Sequence, residues 1–130
     1  MPKFGKKSLE KYNTLDPDLQ KILDEVIKIY DFTILCGYRD KADQEEAFNT
    51  GRSKKHFPHG KHNRLPSIAV DIAPWPIDWE NRDRFIFLAG IIYSIAKRLG
   101  IRIRYGGNWS CSWQFEHQSF EDLGHFELLK

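Results

Sequence analysis

Five histidines are the first candidates for chemistry in this chain of 130 residues, and they are unevenly spread. Three share one basic loop and two lie close to the end of the chain: His56, His59, His62, His117 and His125. A single histidine is more often a surface or core residue than a metal ligand. Three at three-residue spacing also fit a solvated loop or an adventitious metal-binding tract. The histidines therefore need partner residues before they indicate a site.

Asp71 and His125 have more unusual surroundings. Asp71 interrupts an apolar run between Val70 and Ile72, so alternation along a strand places its carboxylate on the face opposite to both. Burying a carboxylate is costly unless it is paired or binds a metal. A solvent-facing aspartate on an edge strand explains this segment equally well. His125 begins a short apolar run three residues after Asp122, so a carboxylate stands near it as well.

A histidine that holds a metal and a nearby carboxylate that handles protons are what metal-assisted hydrolysis requires. Zinc takes nitrogen and carboxylate oxygen ligands, and its catalytic sites keep three protein ligands and one open position for water. His62, Asp71 and His125 would supply that set, and zinc would lower the pKa of the water to around 7. The chain has neither an HExxH helix nor a CxxC pair. Spacing alone therefore indicates only a candidate mononuclear zinc hydrolase.

The elements that must position these residues follow from periodicity and from capping residues. Thr14 or Asp16 can cap a first helix that begins at Pro17, Asp40 can cap a second one, and Gly100 ends the last one. The segment 51–66 is polar, basic and broken by Gly and Pro, which is typical of a long functional loop. We expect helices over 17–30, 41–49 and from a cap at Asn81 or Asp83 to Leu99, and strands over 32–36, 67–73, 101–105 and 124–129.

Composition limits the classes of protein that fit. Hydrophobic residues are 41% and charged residues 29%, the balance of one soluble globular domain. Twenty Lys+Arg against eighteen Asp+Glu give +2, which does not by itself indicate a nucleic-acid binder. The longest apolar run, residues 85–96, is too short to span a bilayer. The start lacks the apolar core of a signal peptide, so we expect a cytoplasmic protein without membrane insertion.

Cysteines and aromatic residues carry weaker expectations. Cys36 and Cys111 cannot form a disulfide framework, and we expect free thiols, with one bridge between them as the alternative. Most members of an aromatic-rich set are expected in the core, and Trp109 and Trp113 could line a cleft. That set is Trp75, Trp79, Trp109, Trp113, Phe115 and Phe120.

Four segments of the chain resemble, in order, the motifs of the phage-type peptidoglycan peptidases. KHN, PS and AVD within residues 61–71 resemble the motif SKHN-x-x-PS-x-AVD. DLGHFEL at 122–128 looks like D-x-x-H-F-E-L, and IRYGGNW at 103–109 is similar to R-W-G-G-D-W. GYR at 37–39 with Gln44 matches GYR…Q. These enzymes belong to the zinc superfamily of D-Ala-D-Ala carboxypeptidases and L-alanyl-D-glutamate endopeptidases. Gly60, Ile68 and Asn108 depart from the motifs, and none of them is a candidate ligand.

The resemblance implies a role for each matching residue. It implies three zinc ligands: His62, Asp71 and His125. Asp122 would be the general base that takes a proton from water and passes it to the leaving amine. Arg39 would stabilise the oxyanion with its fixed set of donors, although a surface salt bridge is the other interpretation. Gln44 and Trp109 would contact the substrate. For Gln44 the alternative is that it only packs its own helix or forms a hydrogen bond to a loop.

The resemblance also implies a fold and an activity. The fold would be α+β, a small antiparallel sheet with helices packed on one side, as in hedgehog and D-Ala-D-Ala peptidase domains. Residues 1–130 would form one zinc peptidase domain without a separate wall-binding domain, acting as a monomer. The protein would be made in the cytoplasm and would hydrolyse the L-Ala–D-Glu bond of peptidoglycan stem peptides after its release.

Other functions remain open at this stage. A D-Ala-D-Ala carboxypeptidase is the alternative within the same superfamily. A zinc-stabilised binding module without turnover is an alternative from another class, because a shared fold does not fix a function. Asp122 favours an enzyme, since a binding module needs no base three residues before His125. A nucleic-acid-binding protein is the weakest alternative, because the basic residues are not gathered on one predicted element.

Overall fold

Helices and strands alternate irregularly along the chain, as expected of an α+β domain. The computed structural model describes residues 3–109, 111 and 122–130. Within them the elements are α1 (Lys6–Tyr12), α2 (Pro17–Ile27), β1 (Phe32–Cys36), α3 (Lys41–Asn49), β2 (Ala69–Pro74), α4 (Arg82–Leu99), β3 (Ile103–Tyr105) and β4 (His125–Leu128). A single 3₁₀ turn, Lys61–Asn63, lies in the long loop before β2.

The four strands form one antiparallel sheet in the order β1-β2-β4-β3. This arrangement confirms the predicted small antiparallel sheet. Asp71 on β2 lies opposite His125 on β4, and Glu127 lies opposite Arg104 on β3. Directly opposite residues share a face, and so do residues two apart on one strand. One face of the sheet therefore carries Asp71, His125, Glu127 and Arg104 together.

The other face of the sheet packs against α2 and α4 and forms the hydrophobic core. Its side chains alternate with the polar ones along each strand, as the period of two requires. The core includes Ile34, Val70, Ile72, Tyr105, Phe126 and Leu128 from the sheet, with Leu19, Leu23, Val26, Leu88 and Ile92 from the two helices. The sheet therefore separates a dry side from the side that carries the charged residues.

The helix ends confirm the capping residues expected from the sequence. Asp16 accepts a hydrogen bond from the Asp18 backbone N–H at 2.9 Å, and Asp40 accepts one from that of Asp43. Asn81 rather than Asp83 caps α4. Gly100 ends α4 with φ of 73°, a left-handed conformation that glycine adopts without strain.

Several features differ from the sequence-based expectation. The helix expected over 17–30 ends at Ile27. Helix α1 was not expected, because none of its side chains caps its start. Tertiary contacts fix it instead, since the Ser8 hydroxyl accepts from the Ile34 N–H at the sheet edge. The strand expected at Ser67 begins at Ala69, because the Ser67 backbone pairs with the segment before α2 through Thr14 and Asp16. The strands expected at 101 and 124 also begin later, at Ile103 and His125.

A bulge in β1 changes which face carries Cys36. Ile34 lies opposite Ile72, but Cys36 lies opposite Asp71. The chain therefore advances by two residues along β1 and by only one residue along β2. Strict alternation would have kept Cys36 on the core face with Ile34. The bulge at Leu35 turns it to the face that carries Asp71.

The described residues also settle two smaller expectations. Cys36 and Cys111 are free thiols. No helix in the described residues is long and apolar enough to cross a membrane. Trp75 and Trp79 are 55% and 64% exposed, so these two members of the aromatic set lie outside the core, in the segment before α4. Trp113, Phe115 and Phe120 lie outside the described residues.

Candidate metal centre and active site

Asp71 lies at the centre of a cluster that brings together all three candidate ligands. Its Oδ1 is 3.0 Å from His125 Nδ1 and 3.3 Å from His62 Nε2. The register between β2 and β4 sets the first distance, and the 3₁₀ turn at residues 61–63 sets the second. His62 and His125, which are 63 residues apart in the sequence, thus meet at one carboxylate.

His62 is buried and has one nitrogen without a hydrogen bond. Its Nδ1 lies 2.7 Å from the Gly37 carbonyl oxygen, which can only accept, so Nδ1 carries a proton. In the neutral ring Nε2 then has a free lone pair, and this atom faces Asp71 Oδ1. Nε2 is buried and makes no hydrogen bond within the described part of the chain. A buried nitrogen that faces a carboxylate oxygen at 3.3 Å without a hydrogen bond is an arrangement that a metal ion completes.

His125 is held in a complementary way. Its Nε2 lies 2.8 Å from Glu127 Oε1, while Nδ1 faces Asp71. Ligand atoms about 2.0 Å from a tetrahedral zinc ion lie roughly 3.3 Å from one another. The 3.0 Å and 3.3 Å separations around Asp71 Oδ1 match that spacing. The donor set of two nitrogens and one carboxylate oxygen therefore fits zinc.

The pKa values of the cluster reflect strong coupling between its charges. Burial opposes the charged form of both histidines, yet the Asp71 carboxylate, joined at His125 by that of Glu127, outweighs it. The pKa of His62 rises to about 10 and that of His125 to about 9. Burial also opposes ionisation of Asp71, but the two histidines hold its pKa well below the usual range. Without a metal, both rings are therefore positively charged at neutral pH beside the Asp71 carboxylate.

Asp122 adds a second carboxylate beside this cluster. Ligand atoms of Asp71, Asp122 and His125 lie within 4.8 Å of one another. Burial, and then the negative charge of Asp71, raise the pKa of Asp122, and the nearby cations only partly oppose them. A carboxyl group with a raised pKa beside a metal centre is suited to accept and return protons.

The turn that carries Asp122 is fixed by close backbone contacts. The Asp122 N–H donates to the Gly106 carbonyl at 2.9 Å, and the Tyr105 hydroxyl donates to that of Leu123 at 2.7 Å. A Cβ on residue 106 would collide with the backbone carbonyl of Asp122. A glycine is therefore required at position 106, because the Asp122 backbone approaches it closely. This contact helps to determine where the Asp122 carboxylate lies.

Arg39 and Gln44 form a buried network next to Asp71. The Arg39 guanidinium lies 3.6 Å from Asp71 Oδ2, and only 13% of its side chain is exposed. It also donates to Gln44 Oε1 at 3.1 Å. Gln44 is fully buried and accepts from Asn63 as well. Its amide nitrogen donates to Ser53 Oγ and to the Lys55 carbonyl. Gln44 thus ties α3 to the loop that carries His62.

Trp109 stands beside the cluster on the same side of the sheet. Its ring centre is 5.5 Å from that of His125, and the Arg104 guanidinium lies 5.2 Å over the indole. The indole is half-buried. It forms one wall next to the candidate ligands, as a residue that contacts substrate would.

Sequence reasoning missed two residues of this region. Cys36 Sγ lies 3.7 Å from His62 Nδ1, and Cys36, His62 and Asp71 form a second, overlapping set of candidate ligands. Only the bulge in β1 brings Cys36 there, and no residue pattern in the sequence predicts that bulge. Glu127 could have been found, because it follows His125 by two residues in a strand and must share its face.

The remaining histidines do not join the cluster within the described residues. His56 lies at the surface, 2.7 Å from Glu45 Oε2, and its ring packs on Phe48. His59 is exposed in the same loop. His117 lies outside the described residues. The structure therefore brings together one histidine of the basic loop and the last histidine of the chain.

Three comparisons with known proteins find similarity to the same kind of enzyme. A family model described as phage L-alanyl-D-glutamate peptidase matches residues 1–129. The L-alanyl-D-glutamate peptidase of Escherichia phage T5 is 32% identical over 135 residues, which cover 98% of each chain. The crystal structure of the Serratia marcescens L-Ala D-Glu endopeptidase ChiX superposes with a TM-score of 0.77 and 25% identity. That match covers 97% of this chain and 90% of the other.

Proposed function

The chain belongs to the phage L-alanyl-D-glutamate peptidase family, and we propose that it hydrolyses the L-Ala–D-Glu amide bond of peptidoglycan stem peptides at a zinc centre. His62, Asp71 and His125 would hold the zinc ion, and Asp122 would be the general base. The observation that carries the proposal is the buried His62 Nε2, which faces Asp71 without a hydrogen bond within the described residues.

When bound, zinc supplies Lewis-acid chemistry, polarising the scissile carbonyl and lowering the pKa of a water molecule. Asp122 then provides what the metal does not, a place for the proton. Its carboxylate accepts a proton from the attacking water and donates it to the nitrogen of the departing D-Glu residue. The raised pKa of Asp122 suits both halves of that transfer, because it brings the group closer to neutral pH.

Arg39 would stabilise the negative charge that develops on the carbonyl oxygen. Its guanidinium lies beside Asp71 and is held by the buried Gln44, so it is pre-organised before substrate arrives. Trp109 would form the adjacent wall for the peptide. Gln44 would act on substrate through Arg39, because its own side chain is fully buried.

We propose the same chain as one catalytic domain over residues 1–130, working as a monomer on the bacterial cell wall. It would be made in the cytoplasm and reach the wall after release. The positive surplus of +2 would favour contact with an anionic wall.

The test is mass spectrometry of purified peptidoglycan digested with the protein, with and without a chelator. We expect a chelator-sensitive product with a new amino terminus at D-Glu, restored by added zinc. A product shorter by one D-Ala would overturn the bond assignment in favour of the carboxypeptidase. No product from folded, zinc-loaded protein would favour the non-catalytic binding module.

The matched control for this digestion is Glu45→Gln. Like Asp71 and Glu127, Glu45 is a carboxylate in contact with a histidine. Its partner is the surface residue His56, at 2.7 Å. The control variant should give the same products as the wild-type protein. Asp71→Asn should give none.

A further inference from the structure

Glu127 is a buried carboxylate that the proposed mechanism leaves unused. Its residue exposure is 3%, and it is placed on the site face of β4, two residues after His125. A carboxylate is costly to bury unless hydrogen bonds and an opposite charge compensate it. Glu127 has both. Oε1 lies 2.8 Å from His125 Nε2, and Oε2 lies 3.3 Å from the Arg104 guanidinium on β3.

The contact with His125 decides which of its nitrogens is available to a metal. A neutral imidazole has one N–H and one lone pair. A carboxylate at Nε2 selects the ring form with the hydrogen at that position. The lone pair is then on Nδ1, the nitrogen that faces Asp71 Oδ1 at 3.0 Å.

The contact with Arg104 keeps the Glu127 carboxylate in place. Residue 104 lies directly opposite residue 127 in the β3–β4 register, so the guanidinium and carboxylate meet on one face. The same guanidinium lies over the Trp109 indole, 5.2 Å from its centre. Arg104, Glu127 and His125 thus form a continuous chain of contacts from the sheet edge to the cluster.

We propose that Glu127, held by Arg104, is a positioning residue that orients His125 and makes its Nδ1 the metal-binding nitrogen. This inference rests on the zinc centre of the proposed function and adds two residues to it. Glu127 touches neither substrate nor metal. It acts by fixing the ring orientation and by increasing the basicity of the ring through its negative charge. Outer partners of this kind change metal affinity by about 10- to 100-fold.

The test measures zinc affinity by competition with a chromophoric chelator in the whole protein. Glu127→Gln keeps an acceptor but loses the charge, and we expect about 10-fold weaker zinc binding. Glu127→Ala loses both, and we expect about 100-fold weaker binding. Arg104→Ala should weaken binding, and Arg104→Lys should restore part of it, because the positive charge returns. Glu45→Gln is the matched control and should bind zinc as the wild-type protein does.

A second readout separates positioning from a merely structural role. Nitrogen NMR of the zinc-loaded protein should show His125 protonated at Nε2 in the wild type, and this signal should shift or broaden in Glu127→Ala. Circular dichroism identifies a variant that has failed to fold. If a Glu127 variant does not fold, Arg104→Ala carries the test, because Arg104 is the partly exposed end of the chain of contacts.

The outcomes distinguish this inference from the proposed function. If the wild type binds zinc and Glu127→Gln, Glu127→Ala and Arg104→Ala bind it equally tightly, the inference is wrong and the zinc centre stands. If His125→Ala also binds zinc as tightly as the wild type, the ligand set itself is wrong. A lower melting temperature with unchanged zinc affinity would assign Glu127 a structural role only.

Discussion

At the scale of single residues, Asp71 controls the charge of the whole cluster. One carboxylate oxygen faces a nitrogen of each histidine, and the other faces the Arg39 guanidinium. In the metal-free protein, His62 and His125 both carry an extra proton at neutral pH and face this carboxylate as cations. A divalent cation bound at the proposed site would replace those protons, because metal ligands bind through deprotonated nitrogen. Metal and protons would therefore compete for the same nitrogen atoms.

This competition predicts that zinc binding strengthens as the pH rises. The pKa values of His62 and His125, about 10 and about 9, lie above the ordinary value of 6.5. The charged histidines stabilise the folded state fully below pH 6.5. This contribution is lost as the pH rises through about 9 and about 10. Zinc must displace about two protons at neutral pH, one from each ring. Calorimetry in buffers of different ionisation enthalpy measures that number. Proton-independent binding between pH 7 and 9 would contradict the coupling.

Asp122 gives the second prediction at this scale. Asp122→Asn keeps the shape of the side chain but cannot accept a proton, so turnover should fall by about 10²- to 10⁴-fold. Zinc affinity should stay close to that of the wild type, because the amide is not a proposed ligand. Muropeptide turnover and zinc content are the two measurements. Asp83→Asn, an exposed change in the first turn of α4, is the control and should leave both unchanged. Near-normal turnover in Asp122→Asn would exclude it as the base.

At the scale of elements, three pieces of irregular backbone place the chemistry on a regular sheet. The 3₁₀ turn at 61–63 presents His62, the bulge at Leu35 turns Cys36, and the turn after Asp122 leads into β4. The sheet supplies the fixed register that sets Asp71 opposite His125. Rigid strands and precisely held turns are what a site that needs sub-ångström placement requires.

The close approach at Gly106 predicts a strong effect of a very small substitution. Gly106→Ala adds a Cβ that would collide with the Asp122 carbonyl, so the turn must shift and displace Asp122, the proposed base. A 1 Å misplacement can cost about 10²-fold in rate. We expect a loss of that order in turnover, measured on muropeptides.

Gly90→Ala is the matched control for this substitution. Residue 90 is an exposed helical position in α4 where a Cβ would meet nothing within 4 Å. Alanine there should keep full turnover and raise stability by about 1 kcal/mol, since alanine favours helix. Equal turnover in Gly106→Ala and Gly90→Ala would show that the turn tolerates the added carbon.

Most of the regular elements could be predicted from the sequence, whereas helix α1 and the irregular segments could not. Caps at Asp16, Asp40 and Asn81 and the alternation around Asp71 are local signals, and the structure confirms them. Helix α1 depends on contacts with β1 that no local pattern carries. The β1 bulge is a property of strand pairing, which exists only in the assembled sheet.

At the scale of the whole molecule, the sheet separates stability from chemistry. Apolar side chains on one face pack against α2 and α4, and the polar face carries the candidate ligands and their charged neighbours. A cluster of costly buried charges can therefore be built without interrupting the core. The four motifs lie far apart in the sequence, and folding of the entire sheet is needed to bring them together. Motif resemblance predicted their meeting, whereas spacing alone did not.

The central claim is that His62, Asp71 and His125 hold one zinc ion. Anomalous X-ray scattering at the zinc absorption edge, from crystals of zinc-loaded protein, tests it most directly. We predict one strong peak bonded to His62 Nε2, Asp71 and His125 Nδ1, with the fourth position open toward Asp122. A peak bonded to Cys36, a peak at His56 or His59 alone, or no peak from folded protein would contradict the claim.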